Sequence, residues 1–194
     1  MKPKLIILNG ALGVGKSTLA EKYAAEHPLT LKLDIDEVRR WISHFREEKE
    51  ISGPLAKKIS GEMARVHLQA GYDVIISQIF TQSEPLENLE NIARGCGANF
   101  YEFLLTTSKE DSIRRFIERG KAEGYPDGFR PGGLVTLGGK EKKLEQMYDD
   151  MMLLISKRQN IKSIESIEGD IEDTYSKLLE KLDSHASAER QKAG

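Results

Sequence analysis

The sequence predicts an α/β fold built on a parallel sheet. Strand-length apolar runs alternate with helix-periodic segments along most of the 194 residues, which is the pattern of crossover units. The first run, Leu5-Ile6-Ile7-Leu8-Asn9, enters a glycine-rich turn that leads directly into a helix-like segment. Strands are expected over 5–9, 29–33, 73–79, 99–105 and, more weakly, 162–167. A chain of this length makes about one domain. That domain is expected over 1–183, with the small, polar and charged residues 184–194 forming a flexible tail.

The turn after the first strand reads Gly10-Ala11-Leu12-Gly13-Val14-Gly15-Lys16-Ser17-Thr18. A polyphosphate is held by successive backbone N–H groups turned inward, and glycines supply the dihedrals this requires. Lys16 is placed to reach the β- and γ-phosphates and Ser17 to ligate Mg²⁺, with the helix N-terminus aimed at the phosphates. Residues Gly10, Ala11, Leu12, Gly13, Val14, Gly15, Lys16, Ser17 and Thr18 are therefore the expected nucleotide-binding set.

The second strand ends at Leu31-Lys32-Leu33 and is followed by Asp34-Ile35-Asp36-Glu37-Val38-Arg39. Ligands gather at the C-terminal edge of parallel strands. While the chain stays extended, Asp34 and Asp36 share a side, so one carboxylate can help hold a metal and the other can take a proton from an attacking hydroxyl. With a helix starting near Asp36, Arg39 returns to the same face one turn on and can orient an acceptor. Trp41 is expected as a packed anchor.

Farther along, Ile59, Met63, Val66 and Ala70 mark the expected core face of a helix ending at Gly71. A helix over 111–121 carries Arg114, Arg115 and Arg119, and the last two share a face. It opens a lid segment of about 111–140, in which glycine, proline, aromatic and basic residues interrupt the regular pattern. Leu144, Met147, Met151, Leu154 and Ile155 mark one later apolar helix face, and Ile171, Tyr175, Leu178 and Leu182 mark the last.

Composition narrows the partners. Hydrophobic residues make up 39% and charged residues 31% of the chain, with a formal net charge of −2. There is no global attraction to a polyanion, so a small-molecule acceptor is favoured over nucleic acid. The lone Cys96 suits a reducing compartment, and no apolar run approaches membrane-spanning length. A cytoplasmic protein is expected.

These residues resemble the small P-loop kinases of the nucleoside-monophosphate-kinase-like fold, including polynucleotide 5′-kinase, chloramphenicol phosphotransferase, the zeta-toxin kinases and gluconate or shikimate kinase. The likeness rests on Gly10 to Ser17, on Asp34-Ile35-Asp36 with Arg39, and on Arg115-xxx-Arg119-Gly120 followed by the segment with Met147-Tyr148. It implies a three-layer fold with a five-stranded parallel sheet of order 2-3-1-4-5. It also implies an ATP-dependent kinase that phosphorylates a hydroxyl, with Lys16, Asp36, Arg115 and Arg119 catalytic, Asp36 as base and Arg39 on the acceptor. By the same likeness the turn Glu168-Gly169-Asp170 lies near the adenine. The third strand ends Ile75-Ile76-Ser77-Gln78 without a carboxylate, and Asp73 lies at its wrong end, so either Asp34 joins Ser17 in holding Mg²⁺ or Ser17, phosphates and water hold it. Gln78 and Thr81 are placed toward the acceptor. The alternatives are a nucleotide-dependent regulatory ATPase and a 5′-hydroxyl kinase acting on nucleic acid.

Overall fold

Five strands form one all-parallel sheet in the order β2-β3-β1-β4-β5 in the computed structural model, which describes residues 2–130 and 134–192. The strands are β1 (Lys4–Gly10), β2 (Leu31–Leu33), β3 (Val74–Ser77), β4 (Asn99–Thr106) and β5 (Lys162–Glu165). β1 lies at the centre and pairs with β3 through Leu5↔Val74 and with β4 through Lys4↔Asn99. The α/β class and the strand order match the expectation. β2, β3 and β5 are shorter than their apolar runs suggested.

Strand alternation divides the core into two layers. Leu5, Ile7, Val74 and Ile76 face a cluster with α2 (Ile35–Arg40), α3 (Lys49–Gln69) and α4 (Ser83–Gly95). Ile6, Leu8, Ile75, Tyr101, Phe103 and Leu105 face α1 (Lys16–Glu26) and α8 (Ile171–Lys192). Tyr175, Leu178 and Leu182 are buried as expected. The backbone of α8 continues to Lys192, well past the Leu182 at which its apolar pattern stops.

α5 (Lys109–Ala122) and α7 (Glu141–Ile155) pack together, with the short α6 (Leu134–Leu137) between them in sequence. The expected face of α7 holds, since Leu144, Met151 and Leu154 are buried. Pro131, Gly132 and Gly133 of the expected lid lie outside the described residues. The part of that segment before them folds back tightly on α5. A Cβ on Gly120 would stand 1.9 Å from the Gly128 carbonyl oxygen, and one on Gly128 would stand 2.4 Å from that of Ile117.

Two packing expectations are corrected. α3 buries Ser52, Ala56, Ser60, Gly61, Ala64 and Leu68, whereas Ile59 is 36% and Val66 66% exposed. Close approach selects the small residues: a Cβ on Gly61 would come within 3.1 Å of Ile92 Cδ1 on α4. Trp41 is 65% exposed, because α2 ends just before it and turns its indole away from the core. Among the described residues, no helix is long and apolar enough to cross a membrane.

At the lower edge of the sheet, Asp73 accepts hydrogen bonds from the Lys4 backbone N–H (2.8 Å), Lys4 Nζ (2.9 Å) and the Tyr23 hydroxyl (2.7 Å). Burial, then this bond to Asp73, raises the Tyr23 phenol pKa. Asp73 is thus structural, at the opposite end from the glycine-rich turn.

Candidate active site

The glycine-rich turn joins β1 to α1 at the C-terminal edge of the sheet, where its three glycines take positive φ: 154° at Gly10, 87° at Gly13 and 93° at Gly15. A Cβ at Gly13 would meet the Ser112 carbonyl oxygen at 2.5 Å and Phe116 N at 2.8 Å, so the loop lies directly against α5. Lys16 curls back and donates from Nζ to the carbonyls of Gly10 (2.8 Å) and Ala11 (2.7 Å). The Leu12 carbonyl accepts from Ser112 Oγ at 2.8 Å and the Val14 carbonyl from Ser166 Oγ at 2.7 Å. Ser17 and Thr18 are exposed at the start of α1, and their hydroxyls make no hydrogen bond among the described residues.

The charges converge on Lys16. Burial, reinforced by the positive charge of Arg119, lowers its ammonium pKa to about 7, against the opposing pull of Asp34 and Asp36. Residues read from three separate stretches of sequence thus act on one point.

Asp34 closes the extended stretch. Its Oδ1 accepts from Asp36 N (2.9 Å) and Glu37 N (3.1 Å), capping α2. The chain turns helical at Ile35, so strand alternation no longer relates the two aspartates, yet both charges still bear on Lys16. Asp36 is exposed and accepts from Gln78 Nε2 at 3.3 Å. Arg39 is directed elsewhere: Nε donates to Ser52 Oγ (3.0 Å), and one terminal nitrogen donates to the carbonyls of Lys49 (3.0 Å) and Phe45 (3.5 Å). Its guanidinium ties α2 to the start of α3.

On α5, Arg119 lies over the Phe116 ring at 5.6 Å and pairs loosely with Glu123. Arg115 is largely buried and turns to the segment after β5, with a terminal nitrogen 3.4 Å from the Ser166 carbonyl and Nε 3.4 Å from Glu168. That Nε is buried without a hydrogen-bond partner. Arg114 completes the link, bonding Glu168 at 2.6 Å and Asp111 at 3.0 Å. The two arginines of the expected pair therefore diverge, Arg119 over the Phe116 ring and beside Glu123, Arg115 toward the Glu168 turn.

Three contributors carry no sequence signal of their own: Ser112, Ser166 and Asn9. Asn9, fully buried at the end of β1, accepts through Oδ1 from Gly10 N (2.9 Å) and Phe80 N (3.0 Å). Among the described residues, no cluster of three or more His, Cys, Asp or Glu could hold a metal. The Ser17 hydroxyl, exposed and without a hydrogen-bond partner among the described residues, fits a cation that takes its other ligands from phosphate and water.

A family model described as an AAA domain matches residues 5–128. The chain belongs to that family. The match takes in the loop, both aspartates, Arg39, Ser112, Arg115 and Arg119, and it ends before the turn with Ser166 and Glu168. No curated protein sequence matches the chain. Its fold is that of P-loop kinases. It is similar to a gluconokinase from Sinorhizobium meliloti 1021, with a TM-score of 0.66 at 16% identity over 100% of this chain and 99% of that one. It is also similar to a chain of the Pnkp1/Rnl/Hen1 RNA repair complex, with a TM-score of 0.57 at 21% identity over 81% of this chain and 47% of that one.

Proposed function

We propose that this AAA domain is an ATP-dependent phosphotransferase that moves the γ-phosphate of ATP to an alcohol hydroxyl of a small molecule. The observation that carries the reading is the glycine-rich loop with its buried Lys16, bonded to the Gly10 and Ala11 carbonyls, at the same sheet edge as Asp34 and Asp36, which follow β2. A site built only to bind a triphosphate needs the cations. The two carboxylates, one of them exposed, suit a site that also handles a metal and a proton.

In this reading the acceptor oxygen attacks the γ-phosphorus in line, forming a P–O bond as the bond to the β,γ-bridging oxygen breaks. Asp36 takes the hydroxyl proton. Gln78 holds its Oδ2 and leaves Oδ1 without a partner among the described residues. Lys16 and Arg119 offer positive charge to the equatorial oxygens of the moving group, and Arg115 steadies the nucleotide from the Glu168 side. Mg²⁺, when bound, would be held by Ser17 and Asp34 and would supply charge neutralisation. Arg39 serves the acceptor indirectly, by fixing the 45–52 segment that borders α2.

The test is Asp36→Asn together with an acceptor screen of sugars, nucleosides, antibiotics and oligonucleotides, read by ATP consumption and product mass. Transfer is expected to fall by about a hundredfold or more while ATP affinity stays within about twofold, as suits a group that meets the acceptor. Transfer at the wild-type rate in Asp36→Asn would remove the base from the mechanism. Phosphorylation confined to oligonucleotides would replace the small-molecule acceptor.

A further inference from the structure

We infer that Ser112 and Ser166 are positioning residues for the triphosphate site, each holding one peptide plane of the loop so that its N–H faces the phosphates. The inference rests on the nucleotide-binding part of the reading above and not on the transfer step.

In a trans peptide the C=O and the next residue's N–H point in opposite directions from one rigid plane. Fixing the Leu12 carbonyl therefore fixes the Gly13 N–H, and fixing the Val14 carbonyl fixes the Gly15 N–H. Both carbonyls are held by hydroxyls, Ser112 Oγ at 2.8 Å and Ser166 Oγ at 2.7 Å. The Gly13 and Gly15 N–H groups have no hydrogen-bond partner among the described residues, as befits donors kept for a ligand.

These two planes have particular need of an anchor. Gly13 and Gly15 sit at φ 87° and 93°, and glycine crosses between positive and negative φ at little cost. A flip of either plane would turn a carbonyl oxygen toward the phosphates in place of an N–H and convert attraction into repulsion. The carbonyls of Gly10 and Ala11 do not share this need, since Lys16 Nζ holds them.

The serines stand on firm backbone far from the loop in sequence. Ser112 is 3% exposed in the first turns of α5, with its N–H bonded to the Ser108 carbonyl at 3.0 Å. Ser166 extends β5, with its N–H bonded to the Thr106 carbonyl at 2.9 Å and its own carbonyl approached by Arg115. The loop is thus gripped from α5 on one side and from the β5–α8 turn on the other.

The test compares Ser112→Ala, Ser166→Ala and Ser166→Thr in the full chain. Binding of a non-hydrolysable ATP analogue with Mg²⁺ is read by calorimetry, and the Gly13 and Gly15 amides are followed by ¹⁵N–¹H NMR. Each alanine variant is expected to weaken binding about three- to tenfold, the scale of one hydrogen bond. Ser166→Thr, which keeps the hydroxyl, should bind within about twofold of wild type. In Ser112→Ala the Gly13 amide, and in Ser166→Ala the Gly15 amide, should lose its analogue-induced shift. Alanine variants that melt like wild type and bind within twofold would overturn the inference, as would a Ser166→Thr variant as weak as Ser166→Ala. Binding is read apart from transfer, so failure of the kinase reading would leave wild-type affinity intact and is told apart from failure here.

Discussion

Nucleotide binding to this domain is expected to take up a proton. Without nucleotide, burial and Arg119 hold the Lys16 ammonium at a pKa of about 7, and its hydrogens face two carbonyl oxygens. A bound triphosphate would bring several negative charges to the same atom and return it to the fully charged form. At pH 8 about nine in ten empty sites would then hold a neutral amine, so binding should draw about 0.9 proton from buffer. Affinity should fall toward tenfold per pH unit between about pH 7.5 and 9, where the terminal phosphate is already ionised. The assay is calorimetry in two buffers of different ionisation heat. The same shift has a sign for folding. The folded pKa lies below the unfolded value of 10.5, so between about pH 7 and 10.5 the unfolded chain binds the extra proton and stability of the empty protein rises with pH. That slope should vanish in Lys16→Met. Buffer-independent heats at pH 8, with a pH-independent Kd from 7.5 to 9, would refute the argument.

Further outcomes follow from the packing. Arg158 Nε lies 2.6 Å from Glu102 Oε2, and the Glu102 side chain is only 4% exposed; burial raises that carboxyl's pKa despite the pull of Arg158. Arg158→Ala raises it further and should cost about 3–5 kcal/mol in denaturant unfolding at pH 7.5. The loss should shrink as pH falls toward the unfolded carboxyl pKa, where the buried group is protonated, and in a Glu102→Gln background. Gly120→Ala would drive a methyl onto the Gly128 carbonyl; a lower Tm, by about 1–3 kcal/mol of stability, and faster proteolysis between 124 and 130 are expected.

What could be read from the chain was whatever a local rule fixes. The loop from Gly10 to Ser17 is legible because each residue answers a backbone or charge requirement within its own turn. The sheet order came through resemblance and matched. The face of α3 was misread because two helical stripes compete there, one of large apolar residues and one of small ones, and the distance of closest approach chose the small stripe. Asp34 and Asp36 were expected to share a side by strand alternation, but the change from strand to helix falls at Ile35, so the first became a cap and the second stood exposed. Helical spacing placed Arg115 and Arg119 on one face, yet the pull of Glu168, far off in sequence, separates their heads. Ser112, Ser166 and Asn9 are single polar residues without periodicity. Their roles exist only once distant segments meet.

The carboxamide of Asn9 has a consequence of this kind. One oxygen receives the first N–H of the glycine-rich loop and the N–H of Phe80, two residues after the Gln78 that bonds Asp36. In the proposed phosphotransferase the donor and acceptor halves of the site are thereby hung from a single atom in the core. Neither half could then drift without loading the other, and the gap the proposed transfer has to cross would be gauged from inside the protein.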